Sequence, residues 1–192
     1  MNIGVWGDSI THGSCDSEAL GWVGRIRKAL PTDDYNHIYN FGVCGDTSDD
    51  LINRFDVELA AIHPQKVIFA VGINDSKFPE GSDTHLVSLE VYEQNLRELI
   101  EKTRVHTDAI TIIGATKVDD EWRSARGSRF MNEEISKFNE VMKKVANENN
   151  LGYIDVFEIL DPAIDLADGL HPNAQGYDKM FEVIKANLDW VK

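Results

Sequence analysis

The chain has 192 residues, and the whole of 1–192 reads as a single domain, since about 100–200 residues commonly share one core. Its 42% hydrophobic and 27% charged content fits a globular protein and excludes a disordered one. The 33 acidic and 19 basic side chains give a formal charge of -14, which repels nucleic-acid phosphates and anionic lipid headgroups and argues against either as a main partner.

The sequence enters an apolar run directly after Met1-Asn2, with no basic n-region or cleavage site ahead of it. No window approaches the roughly 20 apolar residues of a membrane helix. The expectation is a cytoplasmic protein without membrane insertion.

In chain order, apolar runs predict strands at Ile3–Trp6, His37–Phe41, Lys66–Val71, Ala109–Gly114 and Gly152–Val156. Their hydrophobicity is continuous rather than alternating, which suits strands covered on both faces. Between them lie stripes at helical spacing: Leu20, Val23, Ile26 and Leu30 before Pro31; then Leu51, Phe55, Leu59 and Ile62 before Pro64. Leu89, Tyr92, Leu96 and Ile100 form a third, and Ile135, Phe138, Val141 and Val145 a fourth. A last helix follows Ala174 and carries Met180, Val183, Ile184 and Leu188. Alternation of this kind predicts an α/β fold, a five-stranded parallel sheet between two layers of helices. Covering the sheet uses all the amphipathic faces, so the sequence leaves the oligomeric state unset.

One irregular stretch, 115–130, is polar and carries Trp122, Arg123, Arg126 and Arg129 among Asp119, Asp120 and Glu121. It is a candidate pocket wall, read either as a solvated loop or as an anion clamp. Two cysteines, Cys15 and Cys44, are too few for a disulfide scaffold and lack metal-type spacing. Both follow predicted strands and so fall near one another beside the pocket, as free thiols or as a regulatory pair.

The chemistry-bearing residues collect where predicted strands end. Gly7-Asp8-Ser9 follows the first strand, Gly42-Val43-Cys44-Gly45-Asp46-Thr47 the second and Gly72-Ile73-Asn74-Asp75 the third; Asp168 and His171 precede the final helix. In a parallel sheet these loops share one edge, where ligands bind. Acyl transfer needs a hydroxyl activated by a base, a group that orients the base, and donors for the oxyanion. Ser9, His171 and Asp168 supply the first three. The N–H groups of Ser9 and Gly45 and the amide of Asn74 suit the oxyanion, where loss of one donor costs about 3–4 kcal/mol.

Asp8 reads mainly as an organiser of its loop through backbone hydrogen bonds, and also as a polar substrate contact. Trp122, Phe130 and Phe78 are candidates for an acyl slot, or pack beneath the loops. His12 is a further pocket candidate, whereas His63 and His106 read as surface or capping residues. A metal reading would pair Asp168 and His171 with a third ligand from Asp8, Asp46 or Asp75. A reading of another class is a ligand-binding module without turnover.

Taken as an ordered set, Gly7-Asp8-Ser9, Gly42-x-x-Gly45-x-Thr47, Gly72-x-Asn74-Asp75 and Asp168-x-x-His171-Pro172 resemble the blocks of the SGNH (GDSL) hydrolase family. The resemblance runs from Ile3 to about Tyr177. It implies a flavodoxin-like three-layer α/β/α fold and a serine esterase needing no cofactor and no metal. By the same resemblance Ser9 is the nucleophile, Gly45 and Asn74 are oxyanion donors, and Asp168 and His171 complete a triad. Ile10 stands where the family name implies leucine, a swap of similar volume. The expected partner is a small-molecule ester with a short acyl group. Lysophospholipase-like or thioesterase-like action on longer chains is the alternative that the resemblance leaves open.

Overall fold

A computed structural model describes residues 1–31, 35–125 and 127–191. The elements run β1 (Asn2–Gly7), α1 (Ser9–His12), α2 (Gly21–Ala29), β2 (His37–Gly42), α3 (Ser48–Ile62), β3 (Lys66–Ala70) and α4 (Leu89–Arg104). They continue with β4 (Ile110–Ile113), α5 (Asn132–Glu148), β5 (Gly152–Ile154), α6 (Pro162–Asp165) and α7 (Ala174–Ala186). All strand pairs are parallel, in the order β2-β1-β3-β4-β5, so the sandwich follows the strand order typical of flavodoxin-like sheets.

Alternate residues of the strands feed two cores. Ile3 and Val5 of β1 pack with Trp22 and Ile26 of α2 and with Tyr177 and Ile184 of α7. Trp6 of β1 and Phe69 of β3 point the other way, against Leu51 and Phe55 of α3, Tyr92 and Leu96 of α4, and Phe138 of α5. Each such buried side chain contributes about 1.5–3 kcal/mol relative to exposure. No helix among the described residues is long and apolar enough to cross a membrane.

Coverage on both faces holds for β1, β3 and β4 but not for the edge strands, β5 and above all β2. That strand pairs only with β1 and leaves His37, Tyr39 and Asn40 exposed, because the strand order places it at the sheet edge. Its apolar composition instead serves an aromatic stack, with Phe41 lying on Trp6 at 4.9 Å between ring centres. Two short helices, α1 and α6, have no stripe of their own; a carboxylate caps each, Asp8 for α1 and Asp161 for α6. Thr47, read above as part of a motif, caps α3 reciprocally with Asp50. His63 caps the other end of α3 in a left-handed conformation, the capping role expected of it.

The segment between α1 and α2 is held by a buried cation. Arg25 of α2 pairs with Asp16, with Glu18 at 3.0 Å and with Asp178 of α7. Burial alone would raise the pKa of Asp16, but Arg25 and the N–H groups of Glu18 and Gly21 outweigh it and hold the value at about 2. A depressed value stabilises the fold above the ordinary carboxylate range, and that stability is lost as pH falls toward 2. Replacing Arg25→Met leaves the Asp16 charge buried and unpaired, which costs about 3–5 kcal/mol at pH 7. Urea unfolding should show this loss, shrinking as Asp16 is protonated; a pH 7 loss below about 1 kcal/mol would contradict the assignment.

Candidate active site

Gly7 ends β1, and Asp8 turns the chain into α1 by accepting the Ile10 N–H on Oδ1 at 2.9 Å. Ser9 is therefore the first residue of a short helix, not part of an open loop, and its own N–H lies among those a helix start leaves without an internal partner. The turn lies close against its neighbours. A Cβ on Gly42 would come within 2.2 Å of the His12 backbone nitrogen, so only glycine lets β2 end beside α1.

Far along the chain, α6 leads into a tight loop closed by the Ala167 N–H donating to the His171 carbonyl at 2.8 Å. Within it, Asp168 Oδ1 accepts from the N–H of Leu170 at 3.0 Å and of His171 at 2.8 Å. That leaves Oδ2 for the ring Nδ1–H of His171, at 2.8 Å. Since an ionised carboxylate only accepts, Nδ1 donates, and the neutral ring presents Nε2 as an acceptor. Nε2 is 2.9 Å from Ser9 Oγ, across 162 residues of sequence. Burial works to raise the pKa of Asp168, but the bonds from His171 and Leu170 prevail and keep it below its usual value.

The turn after β2 stands opposite. Gly45 takes the left-handed φ of 89° with open space where a Cβ would sit. Its N–H makes no hydrogen bond among the described residues. Asn74 is held by one Nδ2–H donated to the Asp46 carbonyl at 3.0 Å, which leaves the second amide hydrogen available. Asp75 beside it does not face the site; buried, it accepts from the Ser48 N–H at 3.0 Å and so anchors the Asn74 turn to α3. Burial raises its pKa to about 6 against those bonds.

Arg54 of α3 has no counterpart in the sequence reading. Its guanidinium donates to the carbonyls of Gly7 at 3.3 Å and Phe41 at 2.9 Å, and pairs with Asp46 at 2.7 Å and Glu58 at 2.6 Å. One cation thus joins the ends of β1 and β2 to the turn carrying Gly45. Nothing in the local sequence separates it from a surface arginine in an i,i+4 pair with Glu58, because the Gly7 and Phe41 carbonyls it gathers are brought together by the sheet.

An open groove of about 410 Å³ runs beside these residues, lined by Asn74, Lys77, Trp122, Ser128, Phe130 and Leu170, among others. Trp122 packs over the Asp168–His171 loop, its ring 3.0 Å from where a Gly169 Cβ would be, and against Phe130 at 5.2 Å between centres. Phe78 lies elsewhere, under the Arg129 guanidinium and against His85. His12 is exposed at the end of α1.

Stretch 115–130 is tied down more than its composition suggests. The Asp119 N–H donates to the Gly169 carbonyl at 2.8 Å, Asn132 brackets Val118, and Arg129 pairs with Phe78 through two backbone bonds. Arg123 donates to carbonyls of its own loop, and Arg129 reaches Asp83 at 3.6 Å. Arg123 thus bonds within its own loop, while Arg129 ties the loop to Phe78 and Asp83; Arg126 lies outside the described residues.

Asp8 faces inward rather than toward the groove. It lines an internal cavity of about 20 Å³, together with Trp22 and Thr116. The Trp22 Nε1 and Thr116 Oγ1 atoms are buried without a hydrogen-bond partner among the described residues. Asp8, Asp46 and Asp75 are all committed elsewhere, so none of them is a third ligand for Asp168 and His171. Cys15 approaches Asp168 instead, its thiol 3.9 Å from Oδ2. Burial, and then the nearby Asp168 charge, raise the Cys15 pKa. Cys44 lies 3.3 Å from Ser14 Oγ, and both cysteines are free thiols.

Burial raises the Asp8 pKa to about 7, against the N–H bonds of Ile10 and Thr11 and with help from the Asp75 and Asp46 charges. A raised value means stability that is complete below the unfolded value and is lost as pH climbs toward 7, by up to about 1.4 kcal/mol per pH unit. Asp8→Asn keeps an acceptor for Ile10 and removes the titration. Its melting temperature should match the parent near pH 4 and exceed it at pH 8; an equal difference at both pH values would contradict this.

The chain matches the GDSL-like lipase/acylhydrolase family over residues 5–179. It is 35% identical over 120 residues to a multidomain esterase of Ruminococcus flavefaciens, covering 61% of this chain but only 14% of that longer protein. It is also 26% identical to an acetylxylan esterase of Geobacillus stearothermophilus, over 81% of this chain and 74% of that protein. The crystal structure of that organism's acetylxylan esterase Axe2 superposes with a TM-score of 0.78 at 22% identity, covering 100% of this chain and 96% of that one. LAE5, an α/β hydrolase from the metagenome of Lake Arreo, gives 0.80 at 22% identity, with the same coverage. Fold, matched residues and named relatives agree: the chain belongs to the GDSL-like lipase/acylhydrolase family and is a carboxylic ester hydrolase.

Proposed function

We propose that this hydrolase removes short acyl groups, acetyl above all, through an acyl-Ser9 intermediate. The observation that carries the reading is the unbroken run of hydrogen bonds from Ser9 Oγ through His171 to Asp168. Ser9 Oγ attacks the ester carbonyl carbon while His171 Nε2 takes its proton, and Asp168 holds the resulting imidazolium. The oxyanion is received by the N–H groups of Ser9 and Gly45 and by the second amide hydrogen of Asn74. As the tetrahedral species collapses, Nε2 returns the proton to the departing alcohol oxygen. Water then repeats the sequence on acyl-Ser9, releasing the carboxylic acid and restoring the hydroxyl.

The groove's mixed lining supports a polar alcohol such as a sugar: Lys77 and Ser128 offer hydrogen bonds, and Trp122 a flat apolar face. Behind the nucleophile turn the internal cavity has room for about one water, not for an acyl chain. Similarity to an acetylxylan esterase points the same way.

With p-nitrophenyl acetate, Ser9→Ala should lower kcat by roughly 10⁴–10⁶-fold while leaving circular dichroism and melting temperature unchanged. Across p-nitrophenyl esters from acetate to octanoate, kcat/KM should fall as the chain lengthens. Retained turnover in the variant would overturn the nucleophile, and a flat or long-chain-shifted series the acyl preference.

A further inference from the structure

Cys15, Asp168 and His171 offer a sulfur, an oxygen and a nitrogen whose donor atoms all lie within 4.8 Å of one another, the one group of three or more such residues among those described. We propose that this trio is an inhibitory site for a borderline-soft divalent cation of the zinc class. The blocking effect rests on the triad reading given above; the binding itself does not.

The donor set is of the kind zinc takes, with bonds of about 2.3 Å to sulfur and 2.0–2.2 Å to nitrogen and oxygen. Tetrahedral bonds of those lengths separate ligand atoms by about 3.4–3.6 Å. Here Cys15 Sγ and Asp168 Oδ2 are 3.9 Å apart, and Oδ2 and His171 Nδ1 are 2.8 Å apart. The first pair closes by about 0.3 Å and the second opens by about 0.6 Å, shifts that side-chain rotation supplies.

Cys15 is held in place from both sides. The Ser14 N–H donates to the Ser9 carbonyl at 3.0 Å, and the Ser14 carbonyl accepts from Tyr177 Oη at 2.8 Å. On the other side Asp16 is locked to Arg25 and to the N–H groups of Glu18 and Gly21. Asp168 is fixed by its two backbone bonds. The ligands are thus positioned before a metal arrives, which lowers the cost of ordering them.

The proton balance explains the block. Coordination releases the Cys15 thiol proton to solvent and uses the Nδ1 lone pair of His171. The neutral ring then carries its proton on Nε2, the atom facing Ser9 Oγ. That nitrogen no longer accepts the serine proton, and Asp168 is drawn from the ring to the metal. Hard cations such as Mg²⁺ and Ca²⁺ prefer all-oxygen shells and should leave the site alone.

The test has two arms on untagged, metal-free protein. In the kinetic arm, micromolar Zn²⁺ should suppress p-nitrophenyl acetate hydrolysis, EDTA should restore it, and Mg²⁺ should do nothing. Cys15→Ala should keep its metal-free activity and need at least tenfold more Zn²⁺ for half-inhibition, whereas Cys44→Ala should behave as the parent. In the binding arm, Co²⁺ added to Ser9→Ala should give a near-ultraviolet thiolate-to-cobalt band that is absent from the Ser9→Ala, Cys15→Ala double variant. This arm needs no turnover, so it stands even if the esterase reading fails. Equal zinc sensitivity in Cys15→Ala, or no cobalt–thiolate band in Ser9→Ala, would overturn the site. A band without inhibition of the active parent would overturn its inhibitory role.

Discussion

The site depends on β1 lying inside the sheet with β2 and β3 parallel on either side of it. That arrangement forces three strand ends to open at one edge and sets the turn after β1 between the other two. Ligands bind at such crossover points because successive connections diverge there and leave a crevice. Sheet direction alone delivers the edge, but not the sub-ångström fit. The fit comes from close packing, with Gly42 admitting the backbone of His12, and from Arg54 gathering the carbonyls of Gly7 and Phe41 with the carboxylate of Asp46.

Buried charge around the site is mostly paired. Arg25 answers Asp16, and hydrogen bonds from Ser48 satisfy Asp75. Such pairs add little net stability, because desolvation offsets much of their attraction, yet breaking one is expensive. Asp8 is the exception. It stands directly before Ser9, buried beside a small cavity and with no cation among the described residues against it, so its protonated form is the one the interior favours. The residue that shapes the Ser9 turn thereby makes the fold pH-sensitive near neutrality, while Asp168, held by backbone donors, stays ionised.

Much of this was legible in the sequence because it is carried by local patterns. Apolar runs and helical stripes mark the five strands and the five longer helices, and the Asp168 to His171 spacing fits one tight loop in which a carboxylate accepts from both backbone and ring. What escaped are features made by distant neighbours. β2 carries Ile38, Tyr39 and Phe41 like an inner strand, and the strand order makes it an edge. Ser9 looks like a loop residue because α1 is too short for a stripe; the Asp8 cap that starts it is a signal present in the sequence. Arg25 and Arg54 look like surface cations until their partners, up to 153 residues away for Arg25, come together. Cys15 lies near Asp168 only because the two ends of the chain meet.

The central claim is that the Ser9 hydroxyl is activated by the imidazole its chain brings from 162 residues away. Reaction with a fluorophosphonate, followed by intact-mass and peptide mapping, tests this most directly. The account predicts a single adduct on the peptide holding Ser9, formed at least a hundredfold more slowly when His171 is replaced by alanine. Labelling at another serine, or at an undiminished rate in that variant, would contradict it.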